Sequence, residues 1–272
     1  MGINKKSERL REIISPLSKV VVAFSGGVDS TFLLKVCLDA LGRDNVIAFI
    51  GTSPAHPERE TAEAINIAQQ LGVDYVVVQT KEMENADFIS NLRERCYHCK
   101  SDLLDQIRKF AQTRGFTNIV EGSNVDDEND FRPGSRAIAE KEVLSPLKSV
   151  GLTKNEIREL SRSLNLPTHN KPSFACLASR VSYGTTITKE ILKQIELSEE
   201  LLKSLGLRQV RVRYHGDVSR IEAEEEDMAI IIQHRNKIYD GLKALGFTYI
   251  TLDLKGYRTG SLNEAPSGGS KL

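Results

Sequence analysis

The chain has 272 residues, 40% hydrophobic and 27% charged, and its 37 basic and 37 acidic side chains cancel to a formal net charge of zero. No apolar run approaches the roughly 18 to 20 residues of a membrane span, and no net field draws the protein towards nucleic acid, so neither is expected as a partner. The opening MGINKKSERL is polar and unlike a secretory signal, so the four cysteines read as thiols or metal ligands of a cytoplasmic protein, not as two disulfides.

The length suggests about two domains of roughly 100 to 200 residues. In chain order, short β-branched runs predict strands over 20–24, 46–50, 75–79 and 118–121. Between them, helical periodicity covers 31–41, 58–71 and 100–114, each stretch closed by a glycine at 42, 72 and 115. A short strand is expected over 143–147. It is followed by a helix with Thr153 as N-cap, Glu156 three residues later and Pro167 beyond its end. Strands alternating with helices point to an α/β fold, a doubly wound parallel sheet, over residues 1–178. The pattern then changes to a helix over 188–205, strands over 209–215 and 218–224, a helix over 227–245 and a strand over 248–254. This is a smaller α+β domain, 179–272, whose last residues, EAPSGGSKL, read as a mobile end.

The first strand-to-helix junction is VVAFSGGVDST, in which Ala23 and Phe24 end the strand and Ser25, Gly26, Gly27, Asp29 and Ser30 form the turn. Glycines let backbone amides close on an anion at a helix start, the serines add hydroxyl donors, and Asp29 can hold a magnesium ion bound to phosphate. The loop has neither the lysine of a nucleoside triphosphatase P-loop nor the third glycine of a dinucleotide fingerprint. As a bare pattern it reads equally well as a tight turn.

Among the cysteines, Cys37 falls on the apolar side of the first helix and reads as a core residue. Cys96 and Cys99 form a C-x-x-C that would bring two sulfurs from one loop to one metal, and Cys176 is the third candidate. An iron-sulfur cluster, a structural zinc completed by His98 or His169, and unligated thiols all remain open. Three thiolates are one short of the usual four, and a 4Fe-4S cluster so held would leave one iron open to hydrosulfide. His56, His215 and His234 read as surface or structural residues.

SGGVDS resembles the PP-loop of the N-type ATP pyrophosphatases, which cleave ATP between its α and β phosphates and adenylate a substrate oxygen. EGSNVDD, with Gly122 and Asp127, resembles that superfamily's second site element, and LSPLKSVGLTKNEIREL its closing strand and helix. The stretch 171–186 with SRVSYGTT, then VRVRYH, SRIE, LGFTYITLDLKGYRTG and, earlier, DENDFRPG, together resemble the LarE family of sulfur-inserting enzymes, from about residue 8 to 262.

That resemblance implies ATP and Mg2+ as cofactors and a reaction in which a carboxylate of pyridinium-3,5-biscarboxylic acid mononucleotide is adenylated and then converted to a thiocarboxylate of the nickel-pincer nucleotide. No general base is needed, because the attacking carboxylate is already ionised. The resemblance makes Asp29 and Cys176 catalytic. One branch of the family sacrifices a cysteine sulfur, while another carries a 4Fe-4S cluster on three cysteines, which Cys96, Cys99 and Cys176 suit. Cys176 stands one residue after the sacrificial position, here Ala175, which weakens the transfer of that role. Arg180, Arg211 and Arg213 match basic residues near the substrate phosphate, and strand alternation puts the last two on one face. Without the family they read as solvated surface arginines. Glu199 and Glu222 match carboxylates near a metal or subunit contact, but a further acidic partner is replaced by Ile230, so no role is assigned to them. A separate sulfide source and a homo-oligomer, such as a hexamer, are also implied. The competing readings are a tRNA thiolase, a sulfur donor sacrificing Cys176, a zinc-stabilised nucleotide-binding module, and an amide-forming ATP pyrophosphatase fed by free ammonia.

Overall fold

The computed structural model describes residues 2–129, 133–172, 174–258, 260 and 261; the tail EAPSGGSKL and the centre of DENDFRPG lie outside them. The chain forms two compact units, residues 1–88 with 93–174, and residues 89–92 with 175–272.

In the first unit the helices are α1 (Ile3–Ile14), α2 (Val28–Leu41), α3 (Glu58–Leu71), the short α4 (Ala86–Ile89) at its margin, α5 (Arg95–Thr113), α6 (Gly134–Glu140), α7 (Pro146–Ser149) and α8 (Lys154–Ser163). The strands are β1 (Val20–Ala23), β2 (Val46–Thr52), β3 (Asp74–Gln79) and β4 (Asn118–Val120). They pair in parallel in the order β3-β2-β1-β4, with Val20 opposite both Val46 and Asn118. Strand β1 is buried on both faces, as a central parallel strand must be. Val20 and Val22 enter a core with Leu10, Ile14, Leu34 and Ile157, whereas Val21 enters the opposite core with Phe49, Leu104 and Ile107. Successive valines of the run therefore support the helical layers on alternate faces of the sheet. Cys37 is fully buried in the first core, and burial pushes its thiol pKa up to about 12. The winding direction reverses between β1 and β4, the place where open α/β sheets bind ligands beyond the strand ends.

One helix is added and three expectations need correction. Helix α1 precedes the first strand although its sequence is mostly polar, because Leu10 and Ile14 alone supply its buried stripe. The C-x-x-C pair lies in the first turn of α5, not in a loop, so the helix begins at Arg95 and not near residue 100. The expected strand over 143–147 contracts to one bridge between Val120 and Leu144, because Pro146 has no amide to continue a ladder and opens α7 instead. In the small unit, the helix expected over 227–245 is two helices, broken at His234.

The second unit is built from α9 (Lys189–Ser204), β5 (Val210–His215), β6 (Val218–Ala223), α10 (Met228–Gln233), α11 (Arg235–Ala244) and β7 (Tyr249–Leu252). Its sheet order is β5-β6-β7, with an antiparallel hairpin between β5 and β6 and a parallel β6–β7 pair. Leu202, Val212, Ile221, Ile238, Leu242 and Phe247 form its core. The four-residue segment 89–92 belongs here through Asn91, which is fully buried and whose amide donates to the carbonyls of Val181 (3.2 Å), Ser182 (2.8 Å) and Thr185 (3.1 Å).

Candidate active site

The glycine turn leaves β1 at Ala23 and enters α2 at Val28. Gly26 has φ +67°, and a Cβ there would lie 2.9 Å from Ala64 Cα on α3, so only glycine fits between loop and helix. Gly122, at the end of β4, is equally confined: a Cβ would lie 3.0 Å from the backbone nitrogen of Ser30. The serine pair braces the turn from inside. Ser25 Oγ and Ser30 Oγ are 3.1 Å apart, the Ser25 amide donates to Ser30 Oγ (3.3 Å), and the Gly27 amide donates to Ser25 Oγ (3.4 Å). The first amides of α2 have no intrahelical acceptor, which makes this end of the helix a cradle for an anion.

The loop lines one wall of a cavity of about 260 Å³. Ala23, Phe24, Ser25, Gly27, Asp29 and Ser30 contribute from the loop and Gly122 and Asp127 from the second element, so eight of the nine residues expected at the nucleotide come together there. Gly26 stands behind the turn against α3. Cys99 and its neighbour Lys100 line the same cavity, and Phe174 closes part of it.

Its charged groups are paired across long sequence distances. Asp29 Oδ2 accepts from the ammonium of Lys154, whose own amide donates to Asp126 (2.8 Å). Asp29 Oδ1 is buried with no hydrogen-bond partner among the described residues, an acceptor of the kind a magnesium ion takes up. Glu121 is 5% exposed and accepts from Ser145 Oγ (2.5 Å), Ser123 Oγ (2.9 Å) and the Ser123 amide (3.1 Å), with Lys100 at 3.6 Å. Lys171 reaches back to Gly26. Lys100 carries no mark in the sequence, and although Glu121, Lys154 and Lys171 fall within EGSNVDD, LSPLKSVGLTKNEIREL and the stretch 171–186, only the tertiary fold shows that they reach the loop region. His56 also lines the cavity, although it reads as a bystander in the sequence. Burial holds its pKa below the ordinary value against the opposing charge of Glu82. Helix α8 is anchored by the capping box that Thr153 and Glu156 predict, the Thr153 amide donating to Glu156 at 2.9 Å.

Cys96 and Cys99 sit at i and i+3 of α5, hence on one side of it; Cys96 is exposed and Cys99 half-buried. Cys176 belongs to the second unit and is half-buried. Among the described residues no group of three or more histidine, cysteine or carboxylate side chains stands close enough together to hold a metal ion.

The three arginines expected at the substrate phosphate are buried, not solvated. Arg180 is fully buried and forks onto Glu199 with Nε (2.8 Å) and Nη2 (3.1 Å), while Nη1 donates to the carbonyls of Ala175 (2.5 Å) and Cys176 (2.9 Å). It thus fixes the backbone that carries the third cysteine. Arg213 pairs with Glu222 at 2.7 Å and donates to Ser179 O at 2.9 Å. Arg211 is 5% exposed, and burial together with the nearby charge of Arg180 pushes its pKa down to about 10. For Glu199, burial alone would raise the pKa, but the charge and hydrogen bonds of Arg180 outweigh it and hold the carboxyl below its ordinary range. Arg180, Lys203, Arg211, Arg213 and Arg220 surround Glu199 and Glu222, an excess of positive charge in a dry setting.

Comparison with known proteins places this site in a family. The sequence profile of the NAD synthase family matches residues 3–122, the part holding the sheet, the loop and Gly122. A pyridinium-3,5-bisthiocarboxylic acid mononucleotide synthase of Lactiplantibacillus plantarum is 35% identical over 259 residues, covering 95% of this chain and 94% of that protein. The chain belongs to the LarE family. An uncharacterized protein of Synechocystis sp., slr1717, is 39% identical over 263 residues, 96% of this chain and 98% of its own. An NH3-dependent NAD+ synthetase of Archaeoglobus fulgidus is 33% identical over 219 residues, 73% of this chain and 87% of its own. The LarE relationship therefore takes in nearly the whole chain, whereas the NAD synthase profile ends at the glycine after β4.

Proposed function

We propose that the protein is an ATP-dependent sulfur transferase that converts a carboxylate of pyridinium-3,5-biscarboxylic acid mononucleotide into a thiocarboxylate. The substrate carboxylate attacks the α-phosphorus of ATP, the bond to the β-phosphate oxygen breaks, and pyrophosphate leaves. The resulting acyl adenylate offers AMP as a leaving group, and sulfur attacking its acyl carbon displaces it. The loop amides with Ser25 and Ser30 hold the phosphates, and Asp29, through its buried Oδ1, holds magnesium on them. Arg211 and Arg213 take the phosphate of the mononucleotide together with Arg180; an anion entering that cluster gives a counter-charge to Arg211, whose pKa is lowered by burial and then by the charge of Arg180.

The thiols of Cys96, Cys99 and Cys176 would hold a 4Fe-4S cluster, which supplies transferable sulfur without consuming a protein cysteine. The observation that carries this reading is that Cys99 lines the same cavity as the phosphate loop, so a sulfur held there lies next to the adenylated acid. The i, i+3 spacing of Cys96 and Cys99 suits two corners of such a cluster. In this reading the enzyme works in the cytoplasm as a homo-oligomer and draws sulfide from a separate source.

Anaerobic purification followed by iron and acid-labile sulfide analysis should find about four of each per chain, falling sharply in Cys96→Ala. Tightly held zinc without iron would overturn the sulfur route. The NAD synthase match favours one second reading, amide formation from ammonia. Turnover of the adenylated acid with ammonia but not with sulfide would establish it.

A further inference from the structure

We infer that His56 is the proton acceptor of the sulfur-transfer step and that the buried carboxyl of Glu82 holds it ready for that role. This rests on the sulfur-transferase reading, in which hydrosulfide attacks the acyl adenylate inside the cavity. Strands β2 and β3 are parallel neighbours with Thr52 opposite Gln79, and both lead out at the end of the sheet where β1 enters the glycine turn. The Thr80 amide donates to Thr52 O at 2.9 Å and ties the two exits together. From the first exit, His56 reaches the cavity that Cys99 also lines. From the second comes Glu82, which is 1% exposed and has no hydrogen-bond partner on either carboxyl oxygen among the described residues.

A buried carboxyl without a bonded partner costs stability, so its retention calls for a reason outside packing. The backbone beside it is held: the Asn85 amide donates to Glu82 O at 3.0 Å, and the Lys81 amide donates to Asp102 at 3.1 Å. His56 is fixed as firmly. Its amide donates to Ser53 O at 3.0 Å, and its Nδ1 lies 3.2 Å from Ser53 Oγ, which also accepts from the Ala55 amide at 3.1 Å. With Nδ1–H given to Ser53, Nε2 carries the lone pair that takes a proton. Burial favours the neutral ring and the charge of Glu82 opposes that effect, so an imidazolium formed here meets its counter-charge at once. Asp29, Glu60, Lys100, Glu121 and Asp127 also line the cavity, but the charge that acts on this ring is that of Glu82. In the step itself the hydrosulfide sulfur bonds to the acyl carbon, the S–H proton passes to Nε2, and the C–O bond to AMP breaks with its electron pair on AMP. Thiocarboxylate, AMP and an imidazolium result, with no change in oxidation state.

The two half-reactions can be read separately on the full chain with ATP, magnesium and the biscarboxylic acid mononucleotide: pyrophosphate release first, then thiocarboxylate formation on anaerobic addition of sodium sulfide. His56→Ala should slow thiocarboxylate formation about a hundredfold and leave pyrophosphate release within about twofold. Added imidazole should raise the slowed rate about tenfold, a response that a merely bracing side chain would not give. Glu82→Gln should slow the sulfur step about tenfold without lowering the thermal midpoint, because the charge it removes has no bonded partner to leave behind. Unchanged sulfur transfer in His56→Ala, equal slowing of both half-reactions, or slowing that imidazole does not relieve overturns the inference. Should His56→Ala not fold, Glu82→Gln decides alone, and an unchanged sulfur step or a lowered midpoint counts against the pair. A wild-type chain that forms no thiocarboxylate would instead remove the sulfur-transfer reading beneath it.

Discussion

Around the glycine loop, Asp29, Lys154, Lys171 and Glu63 keep between 15% and 52% of their side chains exposed, whereas in the small unit Arg180, Glu199, Arg213 and Glu222 keep no more than 7%. Both regions pair basic with acidic groups, but the physics differs. A partly hydrated pair gains little and loses little when rearranged, so a ligand can redistribute the loop's charges cheaply. A dry pair is held by the cost of exposing either partner alone, so a ligand reaching the small unit must join the network without breaking it. The loop region is organised to respond, and the arginine cluster to stay in place.

The contrast can be broken most directly in the small unit. Glu199→Gln leaves Arg180 buried with two backbone carbonyls and no carboxylate, and should cost about 3–5 kcal/mol in denaturant unfolding. A loss below about 1 kcal/mol would put the pair in the surface class. On the loop side, Gly26→Ala imposes about 1–2 kcal/mol of left-handed backbone strain beside the contact with Ala64, and should weaken ATP about tenfold in a chain that still folds. Adding Ala64→Gly should restore little, because the Ala64 Cα that meets the new methyl at 2.9 Å is backbone that glycine keeps.

The smallest effect sharpens the same distinction with pH. Burial alone would raise the Glu156 pKa, but hydrogen bonds from Lys6 (2.7 Å) and Thr153 (2.9 Å) hold it below the ordinary value. A carboxyl depressed in the folded state stabilises above its unfolded pKa, and that stabilisation is lost as pH falls through the folded value. Thermal midpoints of wild type and Glu156→Gln should thus converge on acidification below roughly pH 4.3. A constant gap across that range would show that the group does not titrate as the geometry requires.

The parts of this architecture that depend on local chemistry are readable from the amino-acid order. Runs such as Val20–Ala23 name buried strands, Gly72 names a helix end in the left-handed region, and Thr153 with Glu156 names a cap. Two glycines between serines mark the cradle because backbone must approach an anion there. What escapes notice lacks a local mark. Helix α1 fully buries only Leu10 and Ile14 in a mostly polar sequence, and the break at His234 carries neither glycine nor proline. Lys154 and Lys171 reach the loop from 125 and 145 positions away, and no spacing rule connects residues that far apart. The burial of Arg211 and Arg213 is hidden for the same reason, since it depends on which strand face the second unit covers.

Asn91 gives the chain an unusual modular history to account for. Its amide fills three carbonyls of a unit that otherwise begins at Ala175, while the residues on either side of 89–92 belong elsewhere. A genetic exchange with one breakpoint near 174 would hand over the smaller module without this plug, leaving those acceptors buried and unmet. Moving that module whole takes three junctions, at 88/89, 92/93 and 174/175, where a contiguous module at the end of a chain would take one.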